Sequence, residues 1–202
     1  MRQENYLEKE LRIMKELEYY TGEKIPKRKI IHWNGIGYRT EYNSIVEINI
    51  SRTNLKDLPN SIGGLKALKR LSLINNKLSS LPYTIGELKS IETLDFHKNL
   101  LVEIPDSIGK LTNLKELYLE YNRLKSLPCS LIKLNQLKNL SIRYNPFNEE
   151  REELVYKSID ELFQYLEEKR RHIFRANFIK RSKERDKELK VGPGGILFDL
   201  KR

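Results

Sequence analysis

From Ile45 onward the apolar positions of the chain return every 23 residues. Each period opens on a short alternation. Leu68, Leu71 and Leu73 are apolar, Arg70 and Ser72 between them are polar, and Asn76 and Leu78 follow. The same places hold Ile91, Leu94, Phe96, Asn99 and Leu101, then Leu114, Leu117, Leu119, Asn122 and Leu124, then Leu137, Leu140, Ile142, Asn145 and Phe147. An opening copy, Ile45, Ile48, Ile50, Thr53 and Leu55, has Thr where the others have Asn. Alternation at period two puts the apolar side chains on one face of a strand. A single strand cannot bury that face, whereas stacked copies enclose a continuous core. The rest of each period is equally regular. Leu58-Pro59, Ile62-Gly63 and Leu65 recur as Leu81-Pro82, Ile85-Gly86 and Leu88, and as Ile104-Pro105, Ile108-Gly109 and Leu111. The fourth copy, Leu127-Pro128, Leu131 and Leu134, has Ile132 in place of Gly. The prolines preset the backbone dihedral of a return segment, and the glycines permit close approach or a positive φ. The asparagine amide both donates and accepts, so it can satisfy buried backbone groups where the chain leaves each strand.

A stack of this kind exposes apolar ends and needs caps. Leu7, Leu11, Met14 and Leu17 fall at helical spacing within residues 3–21, and Gly22 supplies a stop. Two β-prone runs, Ile30–Trp33 and Tyr38–Tyr42, flank Asn34-Gly35-Ile36-Gly37, the signature of a hairpin. Residues 1–44 therefore read as a helix-plus-hairpin cap, with Trp33 packed on the first repeat. After Asn145-Pro146-Phe147, the acidic Glu149-Glu150 leads to Leu154, Val155, Ile159, Leu162, Phe163 and Leu166 on one broad helical face. This predicts a C-terminal capping helix over 149–168, with an acidic first turn suited to the helix dipole. It continues into a basic extension, 169–202, interrupted by Gly192-Pro193-Gly194-Gly195 before the apolar Ile196-Leu197-Phe198.

Residues 45–148, five registers in all, resemble the leucine-rich repeat family. The 23-residue class found in intracellular Ras-associated scaffolds and plant Ras-group-related proteins is the nearer likeness. The resemblance implies an α/β fold, a short horseshoe with a parallel sheet on its concave side, and a function in holding a protein partner there. It also implies a small GTPase or another signalling protein as that partner. The outward strand positions form columns across the repeats. The candidate contact residues on them are Arg70, Ile74, Asp95, His97, Glu116, Tyr118, Glu120, Tyr121, Arg143 and Tyr144. Tyr and Arg favour interfaces because each covers much area and keeps a polar tip. The mixed sign of this face does not suit a nucleic-acid groove, which is basic throughout.

Charge changes the picture in one place. The chain carries 38 Lys and Arg against 28 Asp and Glu, a net of +10. Residues 169–202 hold 12 of the former and 4 of the latter, so most of the excess sits in the extension. Lys169, Arg170, Arg171, Arg175, Lys180 and Arg181, with Phe174 and Phe178 among them, admit three readings. They form a solvated continuation of the helix, an electrostatic contact with nucleic acid or anionic lipid, or a tethered docking peptide anchored by Ile196-Leu197-Phe198.

Other chemistry is not signalled. Gly35-Ile36-Gly37 lacks the third glycine of a dinucleotide loop, and Gly192-Pro193-Gly194-Gly195 lacks the Lys-Ser/Thr of a phosphate loop. The single Cys129 occupies a slot filled elsewhere by Asn60, Tyr83 and Asp106, so it reads as an inert thiol. No catalytic residue, metal site or cofactor is expected. One thiol and no apolar leader point to a cytoplasmic compartment, and the chain is expected to be a monomeric, non-catalytic interaction module.

Overall fold

The computed structural model describes residues 6–32, 35–147, 158–191 and 197–199. Helix α1 (Tyr6–Thr21) precedes strands β1 (Ile36–Glu41) and β2 (Ser44–Ile50). The repeat strands β3 (Arg70–Ser72), β4 (Thr93–Asp95), β5 (Glu116–Tyr118) and β6 (Asn139–Ser141) follow. They form one sheet in the order β1-β2-β3-β4-β5-β6. Strands β2 to β6 are parallel and in register at the repeat period, with Ile48, Leu71, Leu94, Leu117 and Leu140 side by side. Between strands the chain returns through short 3-10 turns at Asn60–Gly64, Tyr83–Glu87, Asp106–Lys110 and Cys129–Lys133. Each follows a proline held at φ between −66° and −71°. The apolar repeat positions lie between strands and turns, and Leu73, Leu78, Ile85, Leu88, Leu94 and Phe96 have no exposed surface.

Three fixed repeat positions have visible causes. Asn99 Oδ1 accepts from the Leu78 amide at 3.1 Å, while its Nδ2 donates to the Leu73 and Phe96 carbonyls at 2.9 and 3.0 Å. Asn122 repeats this with Leu101, Phe96 and Leu119, and Asn145 with Leu124, Leu119 and Ile142. Asn76 accepts from both the amide and the hydroxyl of Thr53, so Thr53 closes the ladder as a donor. The repeat glycines serve close approach and not left-handed backbone. A Cβ on Gly86 would lie 2.3 Å from the Ser107 carbonyl oxygen, and one on Gly109 2.5 Å from that of Ser130. Ile132 stands in the same slot at the end of the stack, where helix α2 follows instead of another turn, and it packs against the core there.

The N-terminal cap differs from the predicted one in two respects. The hairpin is formed by β1 and β2 through Tyr42-Asn43, both in left-handed conformation (φ 46° and 63°), a two-residue turn that matches strand twist. Gly37 is therefore inside a strand, where residues 26–28 pass so close that a Cβ would lie 2.9 Å from the Pro26 carbonyl oxygen. The Asn34-Gly35 signal loses because the outer edge of β1, which the expected hairpin needs, is taken by residues 26–28: the Arg28 amide donates to the Tyr38 carbonyl at 2.8 Å and the Tyr38 amide to the Pro26 carbonyl at 3.0 Å. On α1 the buried set is Glu10, Ile13, Met14 and Leu17, while Leu7 and Leu11 are half-buried. Glu10 Oε2 accepts from the amide of Ile45 at 2.6 Å, at the entry to the first repeat. Burial raises the Glu10 pKa, and that backbone hydrogen bond opposes the rise.

Helix α2 (Ile159–Glu188) closes the other end, burying Leu162 and Leu166 against the last repeat. It starts on a capping box. Glu161 Oε2 accepts from the Ser158 amide at 2.8 Å, and Ser158 Oγ accepts from the Glu161 amide at 3.3 Å. Strands β7 (Leu189–Val191) and β8 (Leu197–Asp199) then pair antiparallel, so Leu197-Phe198 belongs to a small hairpin. The expectations for Trp33, for Leu154 and Val155, and for the Gly192–Gly195 break with Ile196 fall outside the described residues.

Candidate protein-interaction face

The outward positions form four columns. The first runs Glu47, Arg70, Thr93, Glu116, Asn139, and the second Asn49, Ser72, Asp95, Tyr118, Ser141. Parallel pairing continues beyond the three-residue strands, through Leu73 to Asp95, Phe96 to Tyr118 and Leu119 to Ser141. It carries a third column of Ile74, His97, Glu120 and Arg143, and a fourth of Asn75, Lys98, Tyr121 and Tyr144. Every residue of the fourth column, and Arg52 before it, has a left-handed backbone with φ between 54° and 61°. This conformation is costly for Lys and Tyr, which gain nothing local from it as Asn does.

The columns divide into three neighbourhoods. Near the hairpin, Arg39 of β1 reaches Glu47 at 3.0 Å and Glu41 at 2.5 Å, Arg70 reaches Glu47 at 2.8 Å, and Lys69 reaches Glu41 at 3.2 Å. Burial would raise the Glu47 pKa, but hydrogen bonds from Arg70 and Arg39 hold it below the ordinary value. Arg70 is thus committed to this network and stands apart from the other candidates. Arg39 has no sequence signal unless β1 is first placed correctly.

In the middle repeats, Ile74, Asp95, His97, Tyr118 and Glu120 line one depression of about 260 Å³. Asp95 Oδ1 accepts from the His97 amide at 3.0 Å, and burial raises the Asp95 pKa against that bond. Glu120 is held by the Ser141 hydroxyl and by His97 Nδ1 at 3.4 Å. Glu116, beside Tyr118, accepts from Thr93 Oγ1 at 3.1 Å and from Asn139 Nδ2 at 3.4 Å. The Tyr118 pKa is raised by burial first, then by Glu116, Asp95 and Glu120. Among the described residues, no Lys or Arg lies within ion-pair distance of these three carboxylates. Nor does any group of His, Cys, Asp and Glu among them suit a metal ion.

Towards β6, Tyr121 and Tyr144 stack at 4.3 Å between ring centroids, 17° from parallel. His97 meets Tyr121 edge-on at 5.3 Å, which joins the stack to the depression, and Lys98 Nζ lies 5.4 Å from the Tyr121 ring. Burial and the hydrogen bond with Tyr144 raise the Tyr121 pKa. The rings remain 44% and 66% exposed, an apolar surface on a rigid support. Arg143 is exposed one rung from Glu120 without pairing to it.

The basic extension is less uniform than its sequence. Lys169 is half-buried and donates to the Leu127 carbonyl at 3.4 Å, so it belongs to the cap. Arg170 and Arg171 pair with Glu167 at 2.8 and 3.9 Å. Arg175, Lys180 and Arg181 are exposed together with Phe174 and Phe178. No helix among the described residues is long and apolar enough to cross a membrane.

A family model described as leucine-rich repeat region matches residues 47–190. Among solved structures, the leucine-rich repeat ectodomain of the receptor kinase SOBIR1 from Arabidopsis thaliana is 28% identical over 69% of this chain and 81% of that one, with a TM-score of 0.57. The BIR3–SERK2 complex from the same plant matches at 28% identity over 68% of this chain and 80% of that one, with a TM-score of 0.54. A leucine-rich repeat protein of Leptospira interrogans is 35% identical over 50% of this chain, with a TM-score of 0.44; the match spans 31% of that protein's length. The comparison with curated proteins gives no match. Since the family match runs from the first repeat strand past the end of α2, over more than half of the chain, this protein belongs to the leucine-rich repeat family.

Proposed function

We propose that the chain is a non-catalytic scaffold that holds a protein partner on the concave sheet of its middle and last repeats. The observation that carries this reading is the stacked Tyr121–Tyr144 pair, exposed and edge-linked to His97 on a hydrogen-bonded ladder. Rigid aromatic rings supply contact area at low entropic cost. The BIR3–SERK2 structure is of a protein complex, which supports the same use of the fold here. By resemblance to Ras-associated scaffolds the partner is a small GTPase or another signalling protein, and the chain acts as a cytoplasmic monomer in intracellular signalling. The test is affinity capture from the native cell with wild type and with Tyr118→Ala/Tyr121→Ala/Tyr144→Ala. Loss of the captured protein supports the reading, and equal recovery removes the concave face from it.

A second reading rests on the exposed segment of α2, where Phe174 and Phe178 stand among Arg175, Lys180 and Arg181. It makes the extension a contact for nucleic acid or anionic membrane. Retention on heparin, single-stranded RNA or phosphatidylserine vesicles should then fall steeply with salt. No retention at low salt refutes it.

A further inference from the structure

The depression beside the tyrosine stack differs from the rest of the sheet in its charge. It is lined by Ile74, Tyr118 and His97 together with the carboxylate residues Asp95 and Glu120. Glu116 lies beside the depression, in the column next to Tyr118, and is hydrogen-bonded there to Thr93 and Asn139. Among the described residues, the hydrogen bonds these acids receive come from neutral groups or from His97: the His97 amide and ring, the hydroxyls of Thr93 and Ser141, and the amide of Asn139. Two nearby cations are accounted for differently. Lys98 lies against the Tyr121 ring, and Arg143 is exposed without pairing to Glu120. Asp95 and Glu120 lie together in one half-buried depression, where burial and then Glu120 disfavour the charged form of Asp95, and the pair gains from an added cation. The aromatic wall favours a planar one, since guanidinium stacks on rings and binds carboxylates through two parallel N–H groups.

We propose that this depression receives an arginine side chain presented by the bound protein, with its guanidinium between Asp95 and Glu120 and against the Tyr118 ring. The proposal rests on the concave face being the binding face, and it deepens that reading by naming the chemistry of the partner's anchor. Charge complementarity is what selects the occupant. An acidic or purely apolar segment would leave the carboxylates buried without compensation, which is the arrangement an interface rejects.

The test uses the full chain, isotope-labelled, and two probes: the peptide Ac-Gly-Arg-Gly-NH2 and the same peptide with citrulline for arginine. Citrulline keeps the shape of the side chain and removes its charge. Titration should give saturable shifts at Ile74, Asp95, His97, Tyr118 and Glu120 with the arginine peptide and none with the citrulline peptide. The doubly neutralised variant Asp95→Asn/Glu120→Gln should weaken the arginine peptide by about tenfold or more. An unchanged thermal melt confirms that the variant is folded. Equal shifts with both peptides, no shifts at these five residues, or full binding by the variant would each overturn the proposal. So would shifts of the same residues on concentrating the protein alone, which assign the depression to the basic extension of a second copy. The outcome separates from that of the capture experiment. Tyrosine-dependent capture without arginine-specific shifts leaves the concave-face reading standing and removes only the arginine anchor.

Discussion

The two halves of the concave sheet share one backbone register and differ in how their charges are settled. At the hairpin end, Glu41 and Glu47 are each held by Lys or Arg from neighbouring strands, and the network closes on itself. Two repeats further on, Asp95, Glu116 and Glu120 occupy equivalent columns with neutral donors and one histidine. The core beneath both is the same row of buried Ile and Leu. Outward residues of a solenoid are thus free of the fold. The first half spends that freedom on cross-strand pairs within the chain, and the second leaves polar and aromatic capacity open to another molecule.

The comparison presumes that one ladder supports both halves, and the largest expected effect comes from breaking it. Asn122→Ala removes the acceptor of the Leu101 amide and the donors to the Phe96 and Leu119 carbonyls, all buried. A loss of about 3 kcal/mol or more is expected in urea unfolding, since unsatisfied buried groups cost more than a hydrogen bond returns. A loss below about 1 kcal/mol would mean that water or a local shift replaces the amide.

Next in size is the separation of binding from stability in the fourth column. Tyr121→Asn/Tyr144→Asn removes the stack while placing a residue that tolerates left-handed backbone where tyrosine is strained. Stability should change by less than about 1 kcal/mol, because relief of strain offsets the lost ring contact. Capture of the partner should fall by about 30-fold, as for a central interface anchor. A large loss of stability with intact capture would give the tyrosines to the fold.

Opposite pH behaviour sharpens the contrast between the halves. Glu47 has its pKa lowered in the folded state, so its stabilisation is present above the unfolded carboxylate value and is lost as pH falls through the folded value. Asp95 has its pKa raised, so the native state holds the extra proton. Stability from that group is full below the unfolded value and declines as pH rises through the folded one. Urea midpoints from pH 3 to 7 should therefore move in opposite directions. Glu47→Gln should destabilise at pH 7, by about 1 kcal/mol for a half-buried pair, and should flatten the acid limb. Asp95→Asn should leave pH 7 stability unchanged or higher and remove the decline on its approach. The same sign for both variants would contradict the division of the sheet.

The sequence was most legible where a position repeats. Asn99, Asn122 and Asn145, the Leu71 and Leu94 rows and the columns through Tyr118 and Glu120 are set by a period that the register reproduces without a slip. Legibility failed where no copy exists to compare. Asn34-Gly35 carried a stronger local turn signal than Tyr42-Asn43, yet residues 26–28 take the edge of β1 that its hairpin needs, and the turn falls at the latter. Arg39 entered the concave network through that strand and carried no mark of it. Lys169 looked like one more charge of the extension and is a contact of the cap. Ile132 looked like a lapse in the repeat and marks the end of the stack. The depression itself follows from the columns, since Asp95, Tyr118 and Glu120 are adjacent once the strands are in register. That no described Lys or Arg pairs with these acids depends on side-chain placement, which the repeat period does not set.

The most direct test of the central claim is hydroxyl-radical footprinting of the full chain alone and in its captured complex. The concave-face account predicts that Tyr121, Tyr144 and His97 lose reactivity in the complex while Phe174 and Phe178 keep theirs. Protection confined to Phe174 and Phe178, with the tyrosines unchanged, would contradict it and move the function to the basic helix.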